Sequence, residues 1–132
     1  MQLKNDLYTI TGEEMKGQEC RFTIELNSSH FIYQAHFPEE PVTPGVCIVQ
    51  IGKELLELFL SENSSENVKL EISKVKNVKF LSVISPMETS TVVYNIKTVE
   101  MSENRAEVKA QMVVTSKDET KAKISLVLKV AC

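Results

Sequence analysis

An α+β domain, with an antiparallel sheet wrapped around one long central helix, is what this sequence predicts, and three observations carry that expectation. From Thr43 onward a stretch of chain is apolar on every side for its first turns and then narrows to an apolar stripe, as a helix buried at its start and half-buried later would read. After residue 68 the chain runs in long segments that alternate apolar and polar side chains, separated by polar turns. A shorter alternating run lies before the helix, so the strands flank it on both sides. One helix among many antiparallel strands buries its apolar surface if the sheet curls about it.

The chain has 132 residues, 42% of them apolar, which suits one continuous core and therefore one domain over residues 1–132. A net charge of -3 provides no basic field, so neither nucleic acid nor an anionic membrane surface is an expected partner. No run approaches the roughly 20 apolar residues of a membrane span. The start, MQLKNDLYTITGEE, lacks the apolar stretch of a signal peptide, and the expected location is the cytoplasm. Cys20, Cys47 and Cys132 are odd in number and widely spaced, which predicts reduced thiols rather than a disulfide framework. Cys20, His30, His36 and Cys47 lack the tight paired spacing of a structural zinc site, so no metal and no cofactor are expected.

Taken in order, Cys20, Phe22, Ile24 and Leu26 alternate with Arg21, Thr23 and Glu25 and predict a half-buried strand. A short apolar stretch, Phe31-Ile32-Tyr33, leads into a segment with Pro38, Pro41 and Pro44, which can continue neither a helix nor a central strand. Thr43-Pro44 reads as an N-cap followed by proline at the first helical position, where its missing N–H costs nothing. Val46, Cys47, Ile48, Val49 and Ile51 predict a first half buried all round; later, Leu55, Leu56, Phe59 and Leu60 form a stripe beside polar Lys53, Glu54 and Glu57. The polar segment from Ser61 to Asn67 ends the helix. Strands are then expected over roughly Val68 to Ser82, Ser90 to Val99, Ala106 to Thr115 and Ala122 to Val130.

The segment His36-Phe37-Pro38-Glu39-Glu40-Pro41-Val42-Thr43-Pro44-Gly45-Val46 resembles the signature of the 3-hydroxyacyl-acyl carrier protein dehydratases, members of the hot-dog superfamily. A second segment, Val78-Lys79-Phe80-Leu81-Ser82-Val83-Ile84-Ser85-Pro86, is similar to a strand of the same family, with Met87 and Glu88 where the family has glycine and an acid. The resemblance implies a hot-dog fold. It also implies an acyl thioester of acyl carrier protein or coenzyme A as substrate, and a dehydratase-type lyase of fatty acid or related acyl-chain biosynthesis. Hot-dog proteins of this kind pair their sheets edge to edge, so a homodimer or a higher oligomer of dimers is implied as well.

Dehydration of a 3-hydroxyacyl thioester needs a base at C2, a donor for the enolate-like oxygen and an acid for the departing hydroxyl. His36 suits the base, because imidazole is the one side chain whose ordinary pKa lies near neutrality. The backbone N–H of Gly45, at the helix opening after Pro44 and before Val46, suits the oxyanion donor, and glycine lets a substrate approach. Phe37, Pro44 and Val46 complete the implied substrate-binding set. Fourteen residues after the histidine the family carries an acid, whereas this chain carries Gln50, an amide that can neither lose nor deliver a proton.

A missing general acid costs about 10²- to 10⁴-fold in rate, and three outcomes stay open. His36 can both take and return the proton while Gln50 positions the hydroxyl; Glu54, one turn on, can reach inward; or dehydration is no longer the task. Glu54 reads as a solvated helix glutamate about 6 Å further along the axis. The competing function is a non-catalytic or accessory acyl-binding hot-dog protein, with a thioesterase as a third reading. His30 reads as structural or solvated, Cys47 as core, and Lys69, Lys74, Lys76 and Lys79 as a wet strand face that could also guide an acidic carrier.

Overall fold

In the computed structural model, residues 2–17, 19–35 and 39–131 are described, and they form one antiparallel sheet and two helices in the order β1 (Tyr8–Lys16), β2 (Glu19–Leu26), α1 (Ile32–Ala35), α2 (Gly45–Glu62), β3 (Lys69–Phe80), β4 (Thr91–Met101), β5 (Glu107–Ser116) and β6 (Glu119–Ala131). The six strands lie in the spatial order β1-β2-β4-β5-β6-β3. After α2 the chain is therefore carried to the far edge as β3 and returns through β4, β5 and β6. This is the hot-dog fold, an antiparallel sheet around one long helix.

Alternation in sequence becomes two faces in the structure. Phe22, Ile24, Val92, Tyr94, Ile96, Val108, Met112, Val114, Ile124, Leu126 and Leu128 are buried on the helix side, where they meet Ile48, Ile51, Leu55 and Leu56 of α2. Helix and sheet approach closely at Gly52, where an added Cβ would lie 2.6 Å from the Met112 sulfur. A polar tie reinforces the packing: the Tyr94 hydroxyl donates to the Ile48 carbonyl at 2.7 Å. Buried hydroxyls need such partners, since an unpaired one costs about 1–3 kcal/mol.

Several sequence expectations shift. β1 was not foreseen, because Tyr8–Lys16 has only one clean alternating half and a register break between Ile10 and Gly12. Phe31-Ile32-Tyr33 leads into the short helix α1, whose start is held by the Ile32 N–H donating to the His30 ring. The α2 cap is Pro44 rather than Thr43, without a side-chain cap, and the Thr43 hydroxyl instead shares a 2.9 Å hydrogen bond with the Tyr33 hydroxyl. The first half of α2 is not buried all round, for Val46 is 69% exposed. Conversely Glu54 and Glu57, read as polar flank, are buried. Glu57 accepts from the Leu70 N–H at 2.8 Å and lies 3.7 Å from Lys53 Nζ, fastening the entry of β3 to the helix.

Cys20 and Cys47 are free and buried, and Cys132 lies outside the described residues. Burial first, then the nearby Glu13 and Glu62 carboxylates, push the Cys20 thiol up to about 11. The folded chain thus holds that proton after the unfolded chain, near its ordinary 9.0, has lost it. Stability from this group is complete below pH about 9 and declines as pH rises toward about 11. Chemical denaturation of the native chain across that window is expected to show the decline, and Cys20→Ser is expected to flatten it.

Candidate functional site

The two segments singled out in the sequence meet in space. Thr43 donates its N–H to the Ile84 carbonyl at 2.8 Å, and the Phe80 ring lies so close to Gly45 that a Cβ there would sit 2.7 Å from it. Residues of the first segment thus rest on the end of β3 and the chain just after it. The Tyr33 hydroxyl and Thr43 Oγ1 bond fixes the base of the intervening loop from the other side. His36, Phe37 and Pro38 lie outside the described residues.

Helix α2 opens at this junction. Cys47 and Ile48 donate their N–H groups to the Pro44 carbonyl at 2.9 and 3.1 Å, so the Gly45 and Val46 N–H groups precede the first intrahelical bond. No acidic residue lies in the first turn to occupy that positive end. Half-buried Gly45 stands in that turn, with Pro44 before it and exposed Val46 after it.

Val46, Gln50 and Glu54 follow one another at four-residue spacing and form one stripe of α2. Burial deepens along it, from 69% exposure at Val46 through half-buried Gln50 to 5% at Glu54. The deep end is covered by the chain before β1. Glu54 Oε2 accepts from the Leu3 N–H and from Gln50 Nε2, both at 2.8 Å; its Oε1 accepts from the Lys4 N–H at 2.9 Å and the Tyr8 hydroxyl at 3.0 Å. The expectation of a solvated Glu54 is overturned. Burial, then the Glu54 carboxylate, drives the Tyr8 phenol far above its ordinary pKa, so it remains a donor at any ordinary pH.

The remaining candidates sort out by geometry. His30 is buried, with Nε2 3.2 Å from Asp6 Oδ2 and Nδ1 accepting the Ile32 N–H at 3.1 Å, which is the structural role expected of it. Cys47 packs in the core, and burial raises its thiol pKa, which works against a nucleophile. Lys69, Lys74, Lys76 and Lys79 are all exposed along β3. A cavity of about 830 Å³ lies at the far end of α2, lined by Phe59, Leu60, Val68, Val99 and Met101, away from Gly45 and Gln50.

A family model described as the ApeI dehydratase, ApeI-like, matches residues 12–124. The chain belongs to the ApeI-like family. The 3-hydroxyacyl-[acyl-carrier-protein] dehydratase FabZ of Xylella fastidiosa is 36% identical over 79 residues, covering 55% of this chain and 49% of the relative. FabZ of Wolbachia pipientis is 29% identical over 77 residues, covering 58% and 52%. The chain spans about half the length of these curated relatives. Among solved structures, the ApeI:P dehydratase heterocomplex of Xenorhabdus doucetiae aligns with a TM-score of 0.59 at 18% identity, over 91% of this chain and 96% of that one. Thioesterase HI1161 of Haemophilus influenzae aligns with a TM-score of 0.67 at 14% identity, over 96% and 80%. Identities this low show the shared fold alone.

In this ApeI-like chain sequence reasoning missed Tyr8, and it read Glu54, which it weighed as an acid that could reach inward, as solvated. Their signal was an acid one turn beyond Gln50 on the same stripe, but nothing local announced that Leu3 and Lys4 would bring their N–H groups to it. The Gly45 and Phe80 contact has a measurable consequence. Gly45→Ala is expected to destabilise the fold and Phe80→Ala to relieve that effect, with a coupling of about 0.5–3 kcal/mol in a double-mutant cycle read by denaturant unfolding.

Proposed function

We propose that this chain acts as one domain and is a 3-hydroxyacyl-thioester dehydratase-like lyase of acyl-chain biosynthesis. Its substrate is the thioester of an acyl carrier protein or coenzyme A, and it works in the cytoplasm. The observation that carries the reading is the open, acid-free start of α2 at Gly45, locked to the Phe80 to Ile84 segment in a member of the ApeI-like family. No helix among the described residues is long and apolar enough to cross a membrane.

In the proposed reaction His36 takes the proton from C2. The thioester oxygen, gaining charge, is held by the Gly45 N–H at the positive end of the helix, where such a donor acts without reorganisation. The C3–O bond breaks, the C2=C3 double bond forms, and the hydroxyl departs as water with the proton that His36 returns. Gln50 holds the hydroxyl but supplies no proton. Phe37, Pro44 and Val46 line the approach. No cofactor or metal enters this scheme.

A second reading is an accessory acyl-binding subunit, favoured by Gln50 in the acid position and by the heterocomplex that the Xenorhabdus doucetiae relative forms. Mass analysis of a 3-hydroxyacyl carrier-protein thioester separates the two. Loss of water with the native chain, reduced at least about 10²-fold in His36→Ala, supports catalysis. No turnover in the native chain but turnover in Gln50→Glu supports the accessory reading, and stoichiometric acyl binding with no turnover in either does the same.

Dimerisation through β3 belongs to the same proposal. β3 is a sheet edge with twelve residues, and Val75, Phe80, Leu81 and Val83 are each at least half exposed beside it, as Val46 is on the helix. An unpaired edge with apolar neighbours favours pairing with a second edge. Sedimentation at micromolar concentration is expected to give a dimer for the native chain and a monomer for the double variant Val75→Glu, Leu81→Glu.

A further inference from the structure

Helix α2 is open at its start and enclosed at its middle. Glu54, Leu55, Leu56 and Glu57 are 5%, 0%, 0% and 8% exposed. Four consecutive residues cover more than one turn of about 3.6 residues, so at that level no side of the helix borders on free space. Toward the opening the enclosure lapses: Gly45, Val49, Gln50 and Lys53 are half-buried and Val46 is exposed. About 12 Å of helix separates Gly45 from Lys53.

Three contacts make the enclosure. Beneath the helix, an added Cβ on Gly52 would lie 2.6 Å from the Met112 sulfur, so helix and sheet meet without a gap. On one flank Glu54 is covered by the segment before β1, whose Leu3 and Lys4 N–H groups donate to it at 2.8 and 2.9 Å and whose end brings the Tyr8 hydroxyl at 3.0 Å. On the other flank Glu57 accepts from the Leu70 N–H at 2.8 Å, and Lys53 Nζ donates to the Leu70 carbonyl at 3.4 Å. Both flanks are thus closed by bonded charges rather than by loose side chains.

An alkyl group lying along α2 from Gly45 meets this belt and passes it only at a loss. Each buried methylene strengthens binding about fourfold. Parting a buried carboxylate from its donors weakens binding about 10²-fold or more, so the first several carbons driven through the belt lose more than they gain. The cavity lined by Phe59, Leu60 and Met101 lies on the far side of the belt, out of reach of a chain that stops before it.

We infer that the belt at Lys53, Glu54 and Glu57 limits the depth of the site, which therefore selects acyl thioesters of short or medium chain, about ten carbons at most over the 12 Å available. This rests on the acyl-thioester reading above and names the substrate class within it. The thioester carbon stands at the helix opening, and a straight chain running from there ends before Lys53.

The test measures the affinity of the full chain for amide analogues of 3-hydroxyacyl pantetheine, with nitrogen in place of the thioester sulfur, from butanoyl to tetradecanoyl. Affinity is expected to rise about fourfold per methylene to a maximum at octanoyl or decanoyl, and to fall by dodecanoyl. Lys53→Ala shortens one flank while leaving Glu57 its bond to the Leu70 N–H, and Glu54→Ala empties the other. Each is expected to move the maximum to longer chains. A loss of stability alone lowers affinity at every length and leaves the maximum in place.

Affinity still rising at tetradecanoyl in the native chain overturns the depth limit and leaves the acyl-thioester reading standing. A native maximum that neither variant moves overturns the role of the belt. Binding of no analogue of any length, by a native chain shown to be folded by near-ultraviolet circular dichroism, overturns the acyl-thioester reading itself. Should Glu54→Ala fail to fold, the native series and Lys53→Ala decide the question.

Discussion

The fold depends on covering α2. A helix that begins with Val46, Cys47, Ile48, Val49 and Ile51 has more apolar surface than one flat sheet face can hide. The sheet answers by running from β2 through β4, β5 and β6, with Tyr94, Met112, Leu126 and their neighbours turned to the helix, and by carrying β3 to the far edge. Fully burying a large aliphatic side chain is worth about 1.5–3 kcal/mol relative to exposure. The places where coverage stops, at Val46 and along the β3 edge, are therefore departures from the general rule of the molecule.

The same constraint governs the polar groups on the helix. Glu54 and Glu57 sit where apolar residues would serve, and each is buried only because main-chain donors meet it: Leu3 and Lys4 at Glu54, Leu70 at Glu57. Removing one member of such a set leaves a buried charge or donor uncompensated, which is more costly than never having built it. Two acids thus tie the start of the chain and the entry of β3 to a helix whose remaining contacts are mostly apolar. The opening turn, with no acid, retains its positive end.

Much of this architecture was legible in the residues. The alternation of Val108, Ala110, Met112 and Val114, or of Ala122, Ile124, Leu126 and Leu128, reports a two-faced sheet without further help, and these became buried positions. The α2 start was legible to within one residue from Thr43-Pro44-Gly45, but the capping assignment failed because Thr43 found a partner in Tyr33, ten residues back. β1 was hidden by its bulge. Glu54 was misread because its environment is made by residues some fifty positions earlier, a separation at which periodicity carries no information. For the proposed site, Gly45 and Gln50 were singled out by resemblance, while the bond from Gln50 Nε2 to Glu54 is a property of packing that the sequence does not announce.

The joining of Gly45 to Phe80 also ties the start of α2 to the end of β3. Phe80 pairs with Ala122 at the last rung of β3, and the rung before it sets Lys79 opposite Lys123. Like charges directly across a strand pair weaken it, but the Leu81 N–H donates to the Lys121 carbonyl at 2.8 Å and holds the strand end just beyond that rung. Fraying a terminal rung is a local event, far cheaper than unfolding the sheet. Any loosening there is local and leaves the buried core around Leu55 and Leu126 intact.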